Sequence, residues 1–167
     1  IAMDAIFTRT SVRAYADRPV EPEKLERLLR AGMAAPSARN QQPWEFYVTT
    51  DRARLQALSG CSPYVGFVKN AGAAIVPCYR KEGLTAPDYA LIDLSAATEN
   101  ILLEAESLGL GAVWGGVAPG RERMEAVRAA LGVDAALEPF AILSIGYPLK
   151  PAQQQDRYDP ARVHFVR

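Results

Sequence analysis

Near the start of the chain, RTSVRAY at 9–15 sets Arg9 and Arg13 around Thr10 and Ser11. Two guanidinium forks beside two hydroxyls suit a phosphate and a polyol chain, because the fork donates in parallel to phosphate oxygens and a hydroxyl both donates and accepts. A solvated arm whose arginines pair with Asp17 or nearby acids is the simpler alternative, and this segment alone favours it. A second polar run, PSARNQQPW at 36–44, carries amide edges that match the carbonyls and N–H groups of a flat heterocycle. A helix exit followed by a turn would explain Pro36 and Pro43, with Trp44 packed in the core, but not the consecutive polar choices between them. In VWGGVAP at 113–119, adjacent glycines at a strand end let a bare backbone N–H come close to a ligand; a packing bulge is the alternative. Arg157, in QQQDRYDPARVHF, reads on its own as a surface arginine.

Other chemistries find little support. His164 is the single histidine, so a Ser-His-Asp or Cys-His hydrolase would have to be built around one residue near the C-terminus. A strand-edge histidine is the better reading. No His, Cys or carboxylate cluster has zinc spacing, and the two cysteines, Cys61 and Cys78, read as small buried hydrophobes or incidental surface thiols. Gly109, Gly111 and Gly115 follow a helix and lead into a strand, the reverse of the dinucleotide loop, in which phosphate meets a helix N-terminus. Gly109 reads as a helix C-cap. Lys plus Arg and Asp plus Glu balance at 19 each, so no global field draws the protein to nucleic acid or an acidic membrane. No apolar run approaches the roughly 20 residues of a membrane span, and no secretory leader pattern is present, so a cytoplasmic location is expected.

The elements that must position these residues alternate between helical and strand periods in one mixed layered domain spanning 1–167. A helix is expected over 22–33, opened by Pro22 and Glu23 and apolar at Leu25, Leu28 and Leu29. A longer one should run from about Tyr89 to Leu108, with Leu91, Leu94, Thr98, Ile101, Ala105 and Leu108 in one stripe. Ile92, Ala96 and Leu103 form a second apolar face, which fits either burial within one chain or contact with a second subunit. Strand candidates are 44–50, 72–79, 111–117 and 140–147, the last three apolar on both faces and so expected to be central, with 163–166 as a short fifth. Pro77 should mark a strand end or a bulge.

Taken together, these pieces resemble the nitroreductase family of FMN-dependent, usually homodimeric oxidoreductases, in order from about Phe7 to Val166. RTSVR is similar to the family's Arg-x-Ser-x-Arg motif, and PSARNQQPWEF to its Pro-Ser-x-x-Asn-x-Gln-Pro-Trp motif. NILLEAESLGLGAVWGG and SIGYP match the helix-to-strand block and the Gly-Tyr-Pro strand end. The resemblance implies an α+β fold with a central, mostly antiparallel sheet of four to five strands flanked by helices, and a C-terminal strand exchanged between the chains of a homodimer. It implies that Arg9, Thr10, Ser11 and Arg157 hold the FMN phosphate and ribityl chain, and that Arg13 faces the pyrimidine side and tunes the ring. Trp114, Gly115 and Gly116 would border the flavin, and Pro36, Ser37, Ala38 and Asn40 would reach it from the other subunit. No side chain then acts as acid, base or nucleophile. NADH or NADPH supplies electrons, and a nitroaromatic, quinone or similar acceptor removes them.

Two departures from the family pattern thin the phosphate grip: Thr10 stands where many relatives have arginine, and Gln155 where a basic residue is frequent. The short region 80–88 leaves the acceptor pocket open. Arg80 and Lys81 read as a solvated basic pair rather than a binding site. A flavin storage, sensing or supply protein would keep the same grip, and a flavin-free dimeric scaffold is the third reading.

Overall fold

The computed structural model describes residues 4–151, 153–154 and 156–167. Helix α1 (Ala5–Thr8) precedes the arginine segment, and α2 (Pro22–Met33) has the bounds that its N-terminal proline and apolar spacing predict. Strand β1 (Trp44–Thr49) leads through α3 (Arg52–Ser59) to β2 (Ala73–Arg80); then come α4 (Ala90–Ser107), β3 (Gly111–Gly116), α5 (Arg121–Leu131), β4 (Leu137–Pro139) and β5 (Ala141–Gly146). Gly109 ends α4 in the left-handed conformation at φ 75°, as a helix C-cap requires.

The sheet runs β1-β2-β5-β3, with β4 also pairing to β2, and all strand pairs are antiparallel. Its two faces carry separate cores. Ala73 and Ile75 of β2, with Leu143 and Ile145 of β5, pack under α2 and α4 against Leu28, Leu94 and Ile101. Ala74, Val76 and Cys78 face the other way, toward Leu55, Leu58, Met124 and Val127 of α3 and α5. Burial on both faces explains why β2 and β5 read as continuous apolar runs.

The 111–117 run is not central, contrary to its composition. It forms β3, at the end of the sheet, and its outer side is covered by the arginine segment through a parallel bridge between Ser11 and Ala112. The expected bulge at Pro77 lies on the opposite strand. Ile75 pairs with Leu143 and Cys78 with Pro139, so Val76 and Pro77 face three residues, Phe140, Ala141 and Ile142. The Pro77 carbonyl accepts from Phe140 N at 2.8 Å on that side, so the missing proline N–H falls at the bulge and β1 loses no ladder donor.

Residues 163–166 form no strand and pair with none among the described residues; Phe165 is 83% exposed and His164 is exposed as well. Four residues are too few to hold a strand by themselves without a sheet edge to join. The fifth strand is instead β4. No helix among the described residues is long and apolar enough to cross a membrane.

Candidate functional site

Three attachments fix the arginine segment. Val12 N donates to Ala112 O at 3.0 Å, alongside the Ser11 bridge. A Cβ on Gly111 would lie 2.7 Å from Val12 Cγ1, so glycine there lets the segment lie against β3. Buried Tyr15 then latches the segment to the core: its hydroxyl donates to Val12 O at 2.6 Å and lies 2.5 Å from Ser144 Oγ.

The C-terminal segment meets the same place. Gln154 Nε2 donates to Ile6 O at 3.1 Å and Arg9 O at 2.9 Å. As a result Arg9, Thr10, Ser11, Arg13 and Arg157, distant in sequence, line one groove of about 440 Å³ with Gln153 and Gln154. Three guanidinium groups in one groove favour an anion, with two hydroxyls beside it. Arg9 also pairs with Glu99 at 3.4 Å through its Nε, so an acid does meet this arginine, though it is Glu99 rather than Asp17. Gln155 lies outside the described residues.

The PSARN run does not join that groove within one chain. It leaves α2 as a short turn over Ala38–Asn40, and Ala38 and Arg39 line a separate groove of about 350 Å³ with residues 85–89. Arg39, Asn40 and Gln42 all have positive φ, between 44° and 52°, which polar residues such as Asn tolerate best. Ser37 Oγ accepts from Gln42 N at 3.0 Å, and Asn40 Oδ1 from Gln42 Nε2 at 2.8 Å. Gln41 is internal instead: its amide is used entirely by Asp93 and Ala86. Part of this polar run therefore builds the loop itself.

On β3, Trp114 is 37% exposed and tilts against Phe140 with ring centroids 5.5 Å apart. A Cβ on Gly115 would meet Val65 Cγ1 at 2.8 Å and Ile142 O at 2.9 Å, so packing accounts for that glycine. Around Gly116 a Cβ would meet nothing within 4 Å. The open face of β3 is thus at Gly116 and Trp114.

Arg80 and Lys81 are not a free pair. Arg80 donates to the carbonyls of Gln42 at 2.9 Å and Gln41 at 3.0 Å, bracing the polar loop, while Lys81 pairs with Glu138 at 3.0 Å. Glu138 is buried and also meets Arg121 and Arg128. Burial alone would raise its carboxyl, but hydrogen bonds and charge from Lys81 and Arg121 outweigh that and hold it below the usual range. The sequence reading passed over Gln41, Asp93, Glu99 and Gln154. For Asp93 the signal was a carboxylate between Ile92 and Leu94 in the first turn of the helix. The other three have none in a single sequence.

The fold defines the class. An FMN-dependent nitroreductase from Clostridium difficile R20291 superposes with a TM-score of 0.90 at 34% identity, covering 98% of each chain. A structure from Desulfovibrio desulfuricans in complex with FMN gives 0.85 at 30% identity over 99% of this chain and 96% of that one. A protein of Archaeoglobus fulgidus with the provisional name NADH dehydrogenase/NAD(P)H nitroreductase is 44% identical over 163 residues, 95% of this chain and 94% of its own. The chain belongs to the nitroreductase family, whose model matches residues 6–62 and 61–147.

Proposed function

We propose that the protein is an FMN-dependent oxidoreductase that takes electrons from NADH or NADPH and passes them to a nitroaromatic, quinone or similar small acceptor. The observation that carries this reading is the convergence of Arg9, Thr10, Ser11, Arg13 and Arg157 on one groove. The donor set fits the cofactor: guanidinium forks and hydroxyls for phosphate and ribityl oxygens, and an open backbone at Gly116. Arg9, Thr10, Ser11 and Arg157 hold the phosphate end. Arg13 keeps positive charge at the pyrimidine side, while Trp114, Gly115 and Gly116 border the ring. When bound, FMN supplies the hydride chemistry, so the chain needs no acid, base or nucleophile of its own.

The working unit is a homodimer. Pro36, Ser37, Ala38 and Asn40 line no part of the arginine groove in their own chain and serve the flavin of the second copy. Ile6, Phe7 and Ile92, each more than half exposed, give the apolar surface that a second copy covers. Gln154 and Arg157 stay with their own chain, and the part of the C-terminal segment beyond Arg157 reaches that copy, where residues 163–166 find a sheet edge. The test is an absorbance spectrum of the purified protein followed by anaerobic addition of NADH and, separately, NADPH. A flavin spectrum that bleaches with either donor is expected. Bound flavin that neither donor reduces would mean a storage or supply protein, and colourless protein that takes up no added FMN would overturn the reading.

A further inference from the structure

Asp93 sits in the first turn of α4 and is only 3% exposed. None of the ion pairs among the described residues includes it. A carboxylate withdrawn from water without a cation is costly unless hydrogen bonds replace its hydration. Asp93 has two such bonds, and both reach the polar loop: Oδ1 accepts from Ala38 N at 2.8 Å and Oδ2 from Gln41 Nε2 at 2.7 Å.

The polarity of this chain of bonds is determined at one end. A carboxylate offers only acceptors, so Gln41 must turn its NH₂ toward Asp93. The same NH₂ donates to Ala86 O at 2.9 Å, and the Gln41 carbonyl accepts from Ala86 N at 2.9 Å. With the amide reversed, Ala86 N–H would face an NH₂ and Ala86 C=O a carbonyl. Asp93 thus sets the orientation of Gln41, and Gln41 joins two segments, the turn at 38–42 and the chain entering α4. That turn holds Arg39, Asn40 and Gln42 at positive φ, conformations that persist only where the surroundings impose them.

We infer that Asp93 is a positioning residue for the cofactor wall: through Ala38 and Gln41 it holds residues 36–42 in the shape that receives the flavin of the second copy. This rests on the flavin reading above. Because Ala86 shares the same amide, the wall is tied to the short 80–88 region.

The test uses the full chain and FMN itself. Apo-protein is titrated with FMN by quenching of flavin fluorescence, and the visible circular dichroism of the bound flavin is recorded, for the parent, Asp93→Asn, Gln41→Leu and the double variant. Asp93→Asn sets an NH₂ against a donor whichever way its amide turns, the Gln41 NH₂ or the Ala38 N–H, and Gln41→Leu removes the link outright. Both single variants should raise the Kd for FMN about tenfold or more and change the dichroic band, and the double variant should be no weaker than the worse single one. Single variants that lose thermal stability but keep the parental Kd and dichroism would overturn the inference, as would additive losses in the double variant. Should Asp93→Asn fail to fold, Gln41→Leu decides alone by the same criterion. A parent that binds no FMN would remove the flavin reading and this inference with it, an outcome distinct from a parent that binds FMN beside variants that bind it equally well.

Discussion

Replacing Tyr15 with phenylalanine removes one oxygen from the latch that holds the arginine segment. The single phenolic proton goes to Val12 O at 2.6 Å, so the Ser144 hydroxyl, 2.5 Å away, donates to the Tyr15 oxygen. Phenylalanine keeps the ring that packs against Gly146 but leaves a carbonyl and a buried hydroxyl without their partner. That costs about 1–3 kcal/mol at neutral pH, or roughly 2–4 °C in Tm per kcal/mol for a chain of this size. Alkali gives a sharper test. Burial pushes the Tyr15 phenol up to about 12, with the Ser144 bond and the Arg13 charge pulling it back only in part. A pKa raised on folding means stability that is fully present below the unfolded value of 10.0 and lost as pH climbs toward 12. Two pKa units amount to about 3 kcal/mol, and the phenylalanine variant lacks this dependence. Buried Cys78, also raised to about 12, loses its share in parent and variant alike and cancels in the difference. Urea titrations followed by circular dichroism should therefore show the gap between parent and variant shrinking between neutral pH and about pH 11. A gap that stays constant, or one below about 0.5 kcal/mol at neutral pH, would refute the latch.

For Arg13→Met, flavin reduction by NADH in stopped flow should slow by about 5- to 150-fold, while FMN affinity falls less than in Arg9→Met; the opposite ranking would mean the two roles are exchanged. Glu138→Gln should cost about 3 kcal/mol in urea unfolding, since three cations lose their buried partner. The Glu138 carboxyl is depressed on folding, so its contribution is present above the unfolded value of 4.5 and disappears as pH falls below it; the difference between parent and variant should narrow in acid. Sedimentation should give a dimer, and a stable monomer retaining full flavin would refute the shared site.

What could be read from the sequence followed from local physics. Helix α2 was legible because its proline, apolar spacing and basic end all agree. Strands β2 and β5 were legible because burial on two faces leaves an uninterrupted apolar run. The same logic misplaced β3, whose outer side is covered not by another strand but by residues 11–12, a contact 101 positions away in sequence between Ser11 and Ala112. Helices α3 and α5 carried readable signals, an Asp51 cap and a left-handed Gly132, but narrow apolar faces. The groove was legible only as a motif: nothing local in Arg157 says that Gln154 brings its segment beside Arg9. Within PSARNQQPW the part played by Gln41 was not legible, because amides that build a loop and amides that meet a ligand look alike until their partners are known.

Burial of the sheet on both faces has a kinetic consequence. The amides of β2, flanked by β1 on one side and by β4 and β5 on the other, can reach solvent only when the whole domain unfolds, so their hydrogen exchange reports global stability. The arginine segment and the polar loop instead hang from the margins, the first by the Tyr15 hydroxyl and two bridges, Ser11 to Ala112 and Tyr15 to Pro148, the second by Asp93 and Arg80. Attached to the rim by a few bonds each, they should exchange their amides faster than β2 does, which would let a ligand as large as a nucleotide bind without unfolding the sheet.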